Sequence, residues 1–382
     1  MKRVPELDGL RGIAILLVIA CHYEVFARQF WGLPKYGWVG VDLFFVLSGL
    51  LITSVLLNLR GKPGAFRTFY SRRIRRIIPP YTAFLVLLYG VTLALGDHTL
   101  YRRGPILRNL LFMQSFSSIT ELLRVMTSGN TLSLSHAHLG PAIAGLQGPV
   151  SNASSILWSL SIEEYYYLLW APVVLWMTIK GAARTGIVIC VLTLLTRWLG
   201  SSGTSAYYSI YFRFDAPVLG SLVAFLIASK FEQRTVVKIF GIFALFGGLT
   251  LAAVLISMGN VLGREIRQDH SFIVFGVPSL SLIAATIVGI SAAKSGSWFL
   301  FPLRSSVLRF FGKISYTLYL LHGVVYLFFL HFLEPTWTVS FAALLCAVTL
   351  SSLSWKYFEQ PILESGREVR SATPLRFEVA AD

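Results

Sequence analysis

Apolar runs recur along the whole chain, each near the roughly 20 residues that a helix needs to cross the hydrocarbon of a bilayer, and short polar or basic segments separate them. The pattern predicts about ten helices, near 9–27, 38–58, 77–96, 157–178, 185–199, 214–230, 236–258, 271–293, 312–333 and 337–357. The interruptions are unequal in charge. On one side fall Lys2 and Arg3, the dense run from Arg60 to Arg76, Lys180 and Arg184, then Lys230, Arg234 and Lys238, then Lys294, Arg304 and Arg309, and the C-terminal tail. The segments on the other side are poorer in Lys and Arg, with Arg102, Arg103 and Arg108 as exceptions. Cytoplasmic loops collect Lys and Arg, so both termini are expected in the cytoplasm. A long outer segment, about 116–156, is rich in Ser, Gly and His and reads as either a lid or a plain loop.

Composition agrees with the pattern. Of 382 residues, 55% are hydrophobic and only 13% charged, outside the balance of a soluble globular protein. The fold class expected is an all-α integral membrane protein, one bundle over residues 1–360 with a cytoplasmic tail at 361–382 and no fused soluble domain. A net charge of +15 would suggest nucleic acid in a soluble protein, but the inner loops account for most of it and no nucleic-acid partner is expected. Cys21, Cys190 and Cys346 all lie in apolar runs and read as small packing residues. His136 and His138 form an H-x-H without a third ligand in view, so no metal is expected. Lys2, Arg3 and the tetrapeptide ending at Cys21 resemble a cleavable lipoprotein signal, but Glu6, Asp8 and Arg11 intrude in its basic region and favour an uncleaved first helix.

Candidate chemistry starts in that helix. In DGLRGIAILLVIACH, Arg11 and His22 are separated by about 20° beyond three full turns and by a rise of about 16 Å. They share one face at opposite depths, and a charged or titratable group in a span tends to face a bundle interior or a polar cavity. Other groups reach similar depths. Asp42 lies about one turn below the outer end of the second helix, Glu163 and Glu164 about two turns down the fourth, and Arg213 with Asp215 at the start of the sixth, where a structural ion pair between these two is the simpler reading. On the inner side, FYSRRIRRIIPPY carries Arg72, Arg73, Arg75 and Arg76 just before the third helix. Guanidinium groups match phosphate bidentately, while a grip on anionic lipid headgroups is the alternative. Tyr165, Tyr166 and Tyr167 read as packing or interfacial aromatics, and Glu359 as the partner of an inner arginine.

These segments resemble, in order and across nearly the whole chain, the acyltransferase family 3 membrane proteins, which O-acylate bacterial surface polysaccharides, lipo-oligosaccharides and some macrolides. LDGLRGIAILLVIACH, GVDLFFVLSGLLIT, FYSRRIRRIIPPY, WSLSIEEYYYL, FRFDAPVLG, FFGKISYTLYLLHGVV and YFEQPI carry the likeness. The resemblance implies a multi-pass protein of the bacterial cytoplasmic membrane and an acyl-CoA donor, commonly acetyl-CoA, entering from the cytoplasm with its phosphates near Arg11, Arg72, Arg73, Arg75 and Arg76. It implies His22 as the essential catalytic histidine with Asp42, Glu163 and Glu164 in the motifs beside it, and Ser48, Tyr316 and His322 as substrate-side residues. Many relatives carry a C-terminal hydrolase-like domain, which is not expected here.

The chemistry expected is acyl transfer to a hydroxyl of a glycan. His22 would take the acceptor's proton, with Asp42 or Glu163 fixing its orientation, or would carry the acyl group itself. A macrolide-type acceptor is an alternative, and so is a secondary transporter using the same groups as a proton relay.

Overall fold

The computed structural model describes residues 4–27, 30–94, 109–116, 156–200, 207–259 and 266–368, and every regular element among them is helical. The outer segment's His136 and His138 lie outside the described residues.

The first helix, α1, is Pro5–His22, opened by a proline at its start and closed where Tyr23 turns extended. It therefore begins and ends earlier than the predicted 9–27, and His22 is its last residue. α2, Val39–Leu59, follows a 3-10 segment at Phe30–Trp38. Gly61 and Gly64, with φ of 73° and 69°, turn the chain through a left-handed conformation that glycine adopts without steric cost.

That turn feeds α3, Ala65–Ala94. The predicted start at 77 is corrected by twelve residues, since the arginine segment is the helix's first three turns and not its approach. Hydropathy marks only the apolar part of such a helix, whereas backbone hydrogen bonding continues through the charged part.

Then come α4 (Leu157–Trp176), α5 (Ile179–Gly200), α6 (Asp215–Ile227), α7 (Gln233–Met258), α8 (Val277–Ala293), α9 (Ser306–Phe332), α10 (Trp337–Ser354) and α11 (Gln360–Glu368). Single π turns at Phe272–Gly276 and Trp355–Glu359 lead into α8 and out of α10. Ser305 and Thr336 accept backbone N–H groups at the starts of α9 and α10, the usual stop on fraying.

Seven segments among the described residues, containing α2, α3, α5, α7, α8, α9 and α10, are long and apolar enough to cross a membrane. α1, with Glu6, Asp8 and Arg11 in its first turns, and α4, with Glu163 and Glu164, are more polar, and α6 has only 13 residues. These three sit at the other predicted positions. α2, α8 and α9 are largely buried, whereas α5, α7 and α10 expose most of their apolar surface. That division is expected of a bundle whose rim meets lipid.

Helices in hydrocarbon associate through close backbone approach at small residues. At the α1–α9 crossing, a Cβ on Gly12 would strike the Leu308 carbonyl and one on Gly312 the Asp8 carbonyl. Gly49 and Gly220 do the same between α2 and α6, against Pro217 and Val46. The glycines beside Arg11 and Ser48 thus set how closely the neighbouring helices approach the residues at issue.

Candidate active site

Guanidinium groups converge on a cavity of about 330 Å³ between α1, α2, α3, α4 and α9. Arg11, Arg73 and Arg76 line it, with Ser48, Glu163, Glu164, Tyr167 and Tyr316 around them. On α3, Arg73 and Arg76 lie three residues apart and share a face. Arg72 and Arg75 are each one residue back, about 100° away, and do not line the cavity. The expected set of four therefore splits in two, and Arg72 is exposed.

Neither Arg11 nor Arg76 hydrogen-bonds or ion-pairs with any group among the described residues, and Arg73 lies over the rings of Phe69 and Tyr167, at 5.9 and 5.8 Å, with its Nε buried and unpartnered. Glu163, which lines the same cavity, accepts from Ser48 Oγ at 2.6 Å and Tyr167 OH at 3.2 Å. Glu164 keeps a buried, unpartnered Oε1. Leaving several cations at one buried place without hydrogen-bonded anions is costly, and the cost falls when a polyanion enters. Tyr316 lines the wall and donates to Ile77 O at 3.2 Å.

Further along the same wall stand Ser159 and Tyr319, whose hydroxyls are 2.5 Å apart. Tyr319 is one helical turn before His322, with ring centroids 5.8 Å apart, and His322 meets His22. The His22 ring is exposed, its Nδ1 lying 2.8 Å from Val18 O and 3.4 Å from His322 Nε2. Among the described residues, His22 Nε2 has no hydrogen-bond partner. A carbonyl can only accept, so the Nδ1 of a neutral imidazole carries the hydrogen here and Nε2 presents a lone pair.

Among the described residues no carboxylate hydrogen-bonds this histidine, which corrects the expectation for Asp42 and Glu163. Asp42 is buried on the other side of α2, 2.7 Å from Arg213 Nη2, with Ser281 and Tyr207 hydroxyls at 3.3 and 3.5 Å. Alternation around a helix takes it away from the cavity that Ser48 faces.

Asp215 in turn is held by Arg197 through two hydrogen bonds of 2.8 and 2.6 Å, so the expected Arg213–Asp215 pair is replaced by two crossed pairs. Arg197, at the end of α5, escaped the sequence analysis although a lone cation closing an apolar helix was visible. Glu359 accepts from Thr317 and Ser354, at 2.6 and 3.4 Å, instead of pairing with an arginine. Tyr166, fully buried, bonds Ser221 at 2.6 Å as a packing aromatic, while Tyr167 faces the cavity. Among the described residues no cluster of His, Cys, Asp and Glu could hold a metal ion.

The chain has relatives among known sequences. The peptidoglycan O-acetyltransferase OatA of Listeria monocytogenes is 26% identical over 96% of this chain and 56% of its own length. A Staphylococcus aureus (strain COL) protein, provisionally named an O-acetyltransferase, is 26% identical over 96% of this chain and 58% of its own. YrhL of Bacillus subtilis, provisionally named a peptidoglycan O-acetyltransferase, is 36% identical over half of this chain and 27% of its own length. The chain thus spans somewhat over half the length of the relatives that match it throughout. No solved structure matches it. The model of acyltransferase family 3, described as an acyltransferase domain, matches residues 4–356, and the chain belongs to that family.

Proposed function

We propose that this protein moves an acyl group, acetyl in the first instance, from cytoplasmic acyl-CoA to a hydroxyl of a glycan outside the bacterial cytoplasmic membrane. Its ten helices near the predicted positions would each span or line that membrane, with both termini inside. The glycan follows from the relatives' names, in which peptidoglycan is the acceptor.

The observation that carries the proposal is the separation of two chemistries along α1. Arg11, Arg73 and Arg76 stand without hydrogen-bonded anions in the cavity, and His22, about 16 Å further along by helix rise, has a bare Nε2. The residues present fit a coenzyme A donor: bidentate guanidinium contacts suit its phosphates, and the apolar lining of Val41, Phe44 and Phe45, on the His22 side of Ser48, suits a neutral arm. His22 Nε2 takes the proton of the acceptor hydroxyl as its oxygen attacks the thioester carbonyl. The C–S bond breaks, the ester forms, and the departing thiolate receives the proton from His22.

The cavity arginines and their neighbours on α3 separate under substitution. Arg73→Gln and Arg76→Gln are each expected to raise KM for acyl-CoA by about 10- to 100-fold, the loss of one charge-assisted contact of about 1.5–3 kcal/mol. Arg72→Gln, exposed and outside the cavity, leaves KM near the wild-type value. Steady-state kinetics on purified protein compares the three.

The overall proposal is tested by mass spectrometry of surface glycans from cells carrying wild type, His22→Ala or no gene. An acyl mass increment confined to wild type supports it, and an unchanged glycan in all three contradicts it.

A further inference from the structure

Across the α1–α9 interface two histidines face each other, with ring centroids 5.1 Å apart and planes inclined by 58°. His322 is fully buried, and its Nδ1 lies 2.7 Å from Tyr319 O and 3.2 Å from Leu318 O. Carbonyl oxygens accept only, so this Nδ1 carries the hydrogen and His322 Nε2 is a lone pair. That lone pair points at His22 Nδ1, 3.4 Å away, which itself carries a hydrogen because it faces Val18 O at 2.8 Å. The chain of donors and acceptors therefore runs one way, from His22 Nδ1 to His322 Nε2 and from His322 Nδ1 to the α9 backbone. Reversing either ring would set N–H against N–H or a lone pair against a carbonyl.

We propose that His322 is the positioning residue of the catalytic base. Together with Val18 O it accepts the single Nδ1 hydrogen of His22 and so holds the tautomer that leaves Nε2 free. It goes on accepting that hydrogen bond while His22 carries the acceptor's proton, which stays on His22 until the thiolate receives it. This rests on His22 being the base. The role is that of an orienting acceptor behind a working imidazole, filled here by a neutral ring. A neutral acceptor suits the place, since a carboxylate at the same depth would itself need desolvation.

The backbone supports the arrangement. The Tyr23 ring stacks on Tyr326 with centroids 4.1 Å apart, and its hydroxyl donates to His322 O at 3.3 Å, which ties the end of α1 to the turn of α9 that carries His322.

Kinetics of the full-length purified protein with His322→Phe, His322→Gln and His22→Ala tests the proposal. Phenylalanine keeps a ring but offers no acceptor, whereas the glutamine Oε1 can accept the same hydrogen. His322→Phe is expected to lower kcat by about 10- to 100-fold with KM for acyl-CoA unchanged, and His322→Gln to recover most of it. Equal losses in both variants, with His22→Ala still inactive, overturn the positioning role and leave the base in place. Wild-type turnover in His22→Ala overturns the base itself and the positioning role with it. A second measurement needs no variant to fold: nitrogen-15 NMR of histidine-labelled wild type is expected to show His22 protonated on Nδ1 and bare on Nε2. The opposite tautomer contradicts the proposal.

Discussion

His22→Ala is expected to lower acyl transfer by about 10²- to 10⁴-fold, the range a positioned acid–base group contributes, while the protein accumulates in the membrane at the wild-type level. The second half of that expectation comes from where the residue sits. His22 ends α1 as an exposed residue, and its side-chain contacts among the described residues are with Val18 O, the neighbouring Cys21 Sγ and one other histidine. The packing of α1 on α9 is carried instead by Gly12 and Gly312 and by Tyr23 against Tyr326, with Gly9 against Leu303 just before α9. Removing an exposed ring from a helix end opens no core cavity. Turnover per mole of folded protein, with the amount measured by immunoblot, separates the two effects. A parallel fall in protein level would show that the ring is structural.

Asp42→Ala is expected to act in the opposite way, through stability. Arg213 is 1% exposed and loses its only carboxylate partner within 4 Å among the described residues, while two of its nitrogens already lack a partner. Breaking a buried pair by removing one member costs about 3–5 kcal/mol, because the remaining charge stays buried. The same holds for Asp215→Ala, which strands Arg197, itself wholly buried. Replacing both members of the first pair, Asp42→Leu with Arg213→Met, is expected to recover much of the loss, since apolar residues of similar volume can substitute for a buried pair. Thermal unfolding in detergent reads the difference. The Asp42→Ala protein that remains folded is expected to turn over near the wild-type rate, and a large loss of kcat in that fraction would return Asp42 to the chemistry.

Much of this molecule is legible from its sequence. Helices stand at all ten predicted positions, and at seven of them the apolar run is long enough to cross a membrane, where a chain must satisfy its own backbone hydrogen bonds. Arg11, Arg73 and Arg76 come to one cavity with Ser48, Tyr316 and both Glu163 and Glu164, whereas the sequence placed the two glutamates with His22 in the outer half, because depth counted in helical turns does not say which neighbour a side chain meets.

What hydropathy could not reveal is the partner of each buried charge. Asp42 and His22 reach similar depths, yet depth fixes only one coordinate. The rotation of α2, set by glycine contacts at Gly40 and Gly49, turns Asp42 toward Arg213 and Ser281. Likewise Arg213 and Asp215 are two residues apart, and side chains at that spacing do not face each other on a helix. Arg197 from α5 fills the gap. The start of α3 was hidden for another reason: an arginine-rich turn has no hydropathic signature, though it has good helix propensity. His322 was visible as a motif residue, but its contact with His22, 300 positions away, is a property of the α1–α9 crossing alone.

The central claim is that acyl-CoA, held on the arginine side, is the source of the group that appears on an external glycan. Proteoliposomes with the protein in one orientation test it most directly, with radiolabelled acetyl-CoA supplied to the face bearing Arg72 and a soluble glycan acceptor to the opposite face. The account predicts labelled ester on the glycan with wild type, none with His22→Ala, and a requirement for higher donor concentration with Arg73→Gln. Label transfer that is equal in the wild type and His22→Ala, or glycan acylation that needs no acyl-CoA on the arginine face, would contradict it.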